Sequence, residues 1–168
     1  LIGLYSGQRV SDLLKLTEAQ VRHAMNGVYI DVTQQKTGKK MTIPVLPQVK
    51  EILQKRNGNF PRPISSQKYN NYIKTVCKIA ELNDKTQGSK LVKIDEDTRF
   101  PYRREGGTFE KWQLVTSHIG RRSFATNFYG KIPTTFLIYM TGHSTEQMFL
   151  NYIGKSNKDI AMEMINYF

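Results

Sequence analysis

Two short stretches of mixed apolar and polar residues, VYIDVTQQ (Val28–Gln35) and KMTIPV (Lys40–Val45), have the composition of strands. Between them KTGK supplies a polar turn with Gly38, so the pair predicts a β-hairpin carrying lysines at its tip. Pro47 suits the first turn of a helix whose apolar stripe is Val49, Ile52 and Leu53, with Gly58 ending it. Upstream, Ser11 to Leu16 opens as a helix after SGQR. Ser65 to Leu82 is the clearest helix: Tyr69, Tyr72, Ile73, Val76, Cys77 and Ala80 recur at helical spacing, and such a stripe is expected in the core. Tyr5, Tyr129 and Tyr139 lie in apolar patterns and are expected there too. From Asn83 to Gly107 the pattern fails, and the segment reads as a long polar loop with at most a small hairpin around KLVKID. FEKWQLV (Phe109–Val115) reads as a short strand leading inward. Thr116 or Ser117 caps the next helix, which stops at Gly130, and Pro133 starts a short one ending near TGH. Ser144 with Gln147 predicts a capping box for the helix that carries Tyr152. A last helix from Lys158 presents Ile160, Ala161, Met164, Ile165 and Phe168 on one side.

These elements predict a mainly helical α+β domain with a small antiparallel sheet beside a helical core, one domain over residues 1–168. Neither a repeat nor a low-complexity segment is visible. The chain begins at Leu1 and reads as part of a longer protein. Mean hydropathy is -0.50, and no apolar run approaches the roughly 18 residues that cross a bilayer, so no membrane role is expected. Cys77 is the only cysteine, which excludes an internal disulfide and a cysteine zinc site and suits a reducing compartment. Charge changes the picture most. Lys and Arg number 25 against 14 Asp and Glu, a net +11, with a pI near 9.8. Such an excess favours polyanions, nucleic acid before anionic membrane.

The polar residues at helix starts and turns carry candidate chemistry. His118 and Arg121, three apart, share a helical face. Arg9 directly precedes a helix, Lys36 sits at a hairpin tip, and His143 lies at a helix–helix corner nine residues before Tyr152. Arginines, histidines, a lysine and a tyrosine suit attack on a phosphodiester without a metal or cofactor. Paired arginines stabilise the charge that develops on the nonbridging oxygens. A lysine or histidine protonates the leaving oxygen, and a tyrosine, helped by a base and by cations, is a competent nucleophile. Clustered carboxylate metal ligands are not found; Asp95 to Asp97 lie in the polar loop without partners.

The order Arg9, Lys36, His118-x-x-Arg121, Gly142-His143, Tyr152 resembles the catalytic domain of the tyrosine recombinase (phage integrase) family over nearly the whole chain. SGQRVSDLLKL is similar to that family's first-arginine box, QQKTGKKMTIPV to its lysine hairpin, SHIGRRSFAT to its His-x-x-Arg box, and TGHSTEQMFLNYI to its histidine–tyrosine box. Within the family it resembles integrases of conjugative transposons and other mobile elements of Bacteroides-type bacteria. Gln8, Gly120 and Arg122 depart from the family's usual residues, the basic segment from Lys85 to Arg104 is longer than in compact members, and the family's N-terminal arm-binding and core-binding domains have no counterpart in this stretch. The resemblance implies site-specific recombination in a bacterial, nucleoid-associated cytoplasmic setting. It implies that Tyr152 forms a 3′-phosphotyrosyl link, Arg9 and Arg121 clamp nonbridging oxygens, His118 acts as general acid and base, and His143 donates to the phosphate. Lys36 would protonate the leaving 5′-oxygen, although Lys39 and Lys40 lie close enough to replace it. Asp12 would orient Arg9. Lys39, Lys40, Lys85, Lys90, Lys93, Arg99, Arg103, Arg104 and Arg122 are expected along double-stranded DNA. The terminal helix would dock on the adjacent protomer of a homotetramer on DNA. A topoisomerase of type IB shares this chemistry, and a basic DNA-binding module without catalysis would share the charge.

Overall fold

The structure, a computed structural model, describes residues 1–94 and 101–168. In chain order the elements are helices α1 (Ile2–Ser6) and α2 (Val10–Leu13), a 3₁₀ turn (Glu18–Gln20), strands β1 (Val21–Ala24), β2 (Gly27–Thr33) and β3 (Lys40–Pro44), and helix α3 (Pro47–Gln54). Helix α4 (Ser66–Ile79), strands β4 (Lys85–Lys93) and β5 (Tyr102–Glu110) and helix α5 (Lys111–Leu114) follow. Helices α6 (His118–Phe128), α7 (Thr134–Thr141), α8 (Glu146–Ile153) and α9 (Asn157–Met164) close the chain. The class is α+β, helical with small antiparallel sheets, as expected. The chain divides into two compact units, residues 1–63 with 118–168, and residues 64–117.

In the first unit β1, β2 and β3 form an antiparallel sheet in that order. Ile30 pairs with Ile43 and Val32 with Met41. Because side chains alternate along a strand, this register turns all four inward together. All four are buried, and they share a core with Val49, Phe124, Ala125, Leu137 and Phe149. Apart from the small Ala125 methyl, each such side chain contributes roughly 1.5–3 kcal/mol by leaving water. The alternate residues face outward, where Asp31 meets Arg22 at 3.4 Å. Gly38, at φ 67°, closes the hairpin, with Gly38 N–H on the Gln34 carbonyl at 2.8 Å and Gln34 N–H on that of Lys39 at 2.9 Å.

Helix boundaries correct the sequence reading in detail. The cap of α8 is Thr145, whose hydroxyl accepts from Met148 N–H at 3.2 Å, and not Ser144. The proposed partner Gln147 instead donates to Asn151 one turn on. Helix α2 is shorter than Ser11–Leu16, and α9 begins at Asn157, closed by a capping box of Ser156 and Asp159. Of the terminal stripe only Ile160 packs against the core. Met164, Ile165 and Phe168 are exposed. Lys155 and Tyr129 both bond Glu163, which ties α9 to its own unit.

The second unit holds the largest departure. The expected loop is an antiparallel pair of nine-residue strands running from Lys85 opposite Glu110 to Lys93 opposite Tyr102. Its half-buried positions on β4 are Thr86, Gly88, Lys90 and Val92, so the period-two signal is written largely in polar residues. Residues 111–114, expected as strand, are helix α5; its Lys111 and Trp112 N–H groups donate to the carbonyls of Asp84 and Leu82. Along α4 only Cys77 of the predicted core stripe is buried, while Tyr72 and Val76 are 58% and 57% exposed. Helical spacing defines a face; it does not supply the surface that covers it. Tyr139 is likewise 43% exposed. Arg99 and the Asp95–Asp97 triplet lie outside the described residues.

Candidate active site

The first unit gathers its polar residues where several element ends meet. After α1 the chain turns through Gly7, at φ 66°, where any side chain would collide with the Phe124 ring. That turn presents Arg9 as the residue preceding α2. Gln8 is buried and donates to the Met140 carbonyl at 2.8 Å, strapping the turn to α7. Gln8 stands where the resemblance expects a small or apolar residue, and this long-range bond uses the amide that such a residue would lack. Arg9 Nη1 is buried without a partner.

Asp12, on the first turn of α2, is buried. The resemblance gave it the orientation of Arg9; its Oδ1 accepts from the backbone N–H of Gln35 at 2.9 Å. It thus ties α2 to the turn that carries Lys36. Gln34 shapes the same turn, its Oε1 accepting from the Thr37 hydroxyl at 2.9 Å. Lys36, Lys39 and Lys40 are all exposed, and Lys39 Nζ lies 5.7 Å from the Tyr139 ring centroid.

Arg121 enters from α6 and is 3% exposed. Its Nη1 donates to the Gly7 carbonyl at 3.0 Å and its Nη2 to that of Thr141. Gly120 beside it lies where α1 and α6 approach closely: a Cβ there would sit 3.3 Å from the Gly3 backbone. Helix α7 ends at Gly142 in the left-handed conformation, φ 66°, with the Gln34 amide filling the space a side chain would need. His143 follows. Its Nδ1 lies 2.8 Å from the Thr141 hydroxyl oxygen.

Tyr152 sits on the last turn of α8. Its ring centroid is 4.9 Å from that of His143, and the Arg121 and Arg122 guanidinium carbons are each 5.9 Å away. Arg122, expected on DNA, also donates from Nε to the Tyr152 carbonyl at 3.1 Å. The Tyr152 hydroxyl is buried without a hydrogen-bond partner; Arg121 acts on it as a nearby charge rather than as an aligned donor.

Electrostatics follow from this crowding. Burial, with Arg9 as a like charge, pulls the Arg121 guanidinium down to about 10. Burial, then Arg121 and Arg9, pushes His143 down to about 4. Burial raises the Tyr152 hydroxyl, while Arg121, Arg122 and Arg9 pull it back. Two guanidiniums, an imidazole and a phenol therefore sense one another in one place. That arrangement suits an anion bound between the cations.

The structure thus brings Arg9, Arg121, His143 and Tyr152 together, with Asp12 at their edge. Lys36 and His118 are exposed, and among the described residues no hydrogen bond or ring contact joins either to Tyr152. Lys85, Lys90, Lys93, Arg103 and Arg104 lie on β4 and β5. The sequence reading passed over Gln34 and Thr141. The one available signal was a polar residue placed where the register or the apolar run LIYM called for an apolar one.

Three solved structures show what the fold resembles. A lambda integrase dimer bound to a COC′ core site superposes with a TM-score of 0.62 at 22% identity, covering 94% of this chain and 51% of that one. XerA recombinase gives 0.62 at 14%, covering 99% and 55%. The Tn1549 transposon integrase in complex with transposon right end DNA gives 0.58 at 20%, covering 99% and 56%. The chain therefore spans about half the length of these proteins. Comparison with curated protein sequences gives no match. The model of the phage integrase family matches residues 1–159, and the chain belongs to that family.

Proposed function

We propose that this chain is the strand-cleaving and rejoining part of a tyrosine site-specific recombinase. The observation that carries the reading is the convergence of Arg121 and His143 on the Tyr152 ring, with Arg9 near enough to act on all three as a charge, around a buried hydroxyl. A phosphodiester placed there relieves the repulsion between the guanidiniums and receives their forks on its nonbridging oxygens. The Tyr152 oxygen then forms a bond to phosphorus as the bond to the 5′-oxygen breaks. The phenolic proton goes to a base, for which His118 is the candidate the family resemblance supplies, and the leaving oxygen takes a proton from Lys36 or a neighbouring lysine. The product is a 3′-phosphotyrosyl link. It conserves the ester's energy, so a 5′-hydroxyl from another strand reverses the step without a nucleotide cofactor or a metal.

Double-stranded DNA is the partner this chemistry requires, in the bacterial cytoplasm with the nucleoid. Assembly is proposed as a head-to-tail ring of four, each terminal segment docking on its neighbour. Two features support it: the exposed Met164, Ile165 and Phe168, and an apolar groove of about 450 Å3 lined by Leu46, Phe124, Phe128, Ile132, Phe136 and Met140. Among the described residues no helix is long and apolar enough to cross a membrane. A nicked suicide duplex carrying the element's end sequence tests the function. A covalent adduct that forms in EDTA is expected; a strict requirement for Mg²⁺ contradicts the mechanism.

A further inference from the structure

Thr141 is fully buried and holds two members of the site at once. Its carbonyl accepts from Arg121, and its hydroxyl oxygen contacts both the Leu137 carbonyl and His143 Nδ1. A threonine hydroxyl has one hydrogen to give. The Leu137 carbonyl can only accept, and two oxygens that close repel unless a hydrogen lies between them. The hydroxyl hydrogen therefore points along the helix to Leu137, and the contact to His143 must use a hydrogen on Nδ1. We propose that Thr141 is a positioning residue that holds neutral His143 in its Nδ1–H tautomer and leaves Nε2 as a bare acceptor.

The surroundings agree. Burial first, then Arg121 from α6 and Arg9 from the turn before α2, disfavours the protonated imidazole in the free protein, and Tyr152 from α8 covers one side of the ring. Phe149 meets it edge-on at 5.6 Å. The consequence for catalysis rests on the function proposed above. Nε2 cannot donate to a phosphate oxygen until it has gained a proton. A phosphodiester between Arg9 and Arg121 offsets the two charges that oppose that gain, so a seated DNA backbone favours the proton that lets His143 donate. His143 then responds to the bound phosphate as well as contacting it.

The tautomer is read directly in the DNA-free chain by long-range proton–nitrogen correlation of ¹⁵N-histidine at neutral pH. The chain has three histidines, and His143→Gln assigns the signal. The expected result is protonated Nδ1 and unprotonated Nε2, kept in Thr141→Ser and lost in Thr141→Val. The tautomer ratio should move about fivefold or more toward Nε2–H in the valine variant, the worth of one buried hydrogen bond. Nε2–H in the wild-type chain, or a ratio unchanged in Thr141→Val, overturns the proposal. Should valine disturb folding, Thr141→Ala supplies the same comparison, and the wild-type spectrum decides alone against the proposal if it shows Nε2–H. No adduct is needed for this measurement, so its outcome is independent of whether the chain cleaves DNA.

Discussion

Arg121 serves the fold and the site with the same guanidinium. Two of its five N–H groups are spent on the Gly7 and Thr141 carbonyls, which join the turn before α2 to the end of α7, and the rest remain for an anion. An ammonium cannot hold both carbonyls and a phosphate in one plane. Arg121→Lys is therefore expected to slow single-turnover cleavage by about 10²–10³, the effect of losing one preorganised donor. A rate near wild type contradicts the clamp. Gly142 is constrained twice, by φ 66° and by the Gln34 amide against it. Gly142→Ala should cost about 1–3 kcal/mol, seen as a lower denaturant midpoint, and Gln34→Ala should restore only the part due to the clash. Full restoration would mean that the backbone conformation is not strained. His143 adds a pH dependence whose sign is set by its lowered pKa. Between its ordinary 6.5 and about 4 the unfolded chain binds a proton that the folded chain does not. The stability linked to His143 is thus present above 6.5 and lost as pH falls toward 4. His143→Gln should flatten that acid limb in urea titrations; an equally steep limb places the acid sensitivity elsewhere.

At the scale of elements, legibility followed the chemistry of the buried face. The β2–β3 hairpin was readable because Ile30, Val32, Met41 and Ile43 are apolar and alternate. The β4–β5 ribbon was not, because threonine, glycine and lysine occupy its half-buried positions and strand propensity is set by what a face packs on. Once visible, the register sorts the basic residues. Lys85, Lys93 and Arg104 share one face, while Lys90 and Arg103 share the other. Lys90 is engaged by the Phe109 ring at 4.5 Å. Lys85 pairs with Glu110 at 3.4 Å, an exposed pair that a phosphate can displace at small cost. We therefore expect Lys85→Ser with Arg104→Ser to flatten the log–log salt dependence of DNA affinity by nearly one for each phosphate no longer neutralised. Lys90→Ser should leave it unchanged. Equal effects from all three would show diffuse attraction rather than a docked face.

For the whole molecule, the spacing of Arg9, Arg121, His143 and Tyr152 was legible as an order of polar residues at helix ends, and the fold gathers them. What binds them together was not. The bonds run from side chains to backbone carbonyls far along the chain, as from Arg121 to Gly7 or Gln8 to Met140, and a sequence does not display carbonyl directions. The terminal stripe was legible as a stripe, but the structure divides it: Ile160 and Glu163 anchor α9 to its own unit, and the residues beyond Met164 are left exposed. Removing 165–168 should therefore leave the thermal midpoint of the isolated chain within a few degrees, the small effect expected of exposed residues, while weakening cooperative assembly on paired DNA sites. A lower midpoint with undiminished assembly would place the segment on its own core.

The central claim is that Tyr152 is the nucleophile. Its most direct test is to digest the trapped adduct and locate the nucleotide-bearing peptide by mass spectrometry, in the wild-type chain and in Tyr152→Phe. The account predicts the modification on Tyr152 and no adduct in the phenylalanine variant, whose DNA affinity should be nearly unchanged. An adduct that persists in that variant, or that maps to Tyr139 or Tyr167, contradicts it.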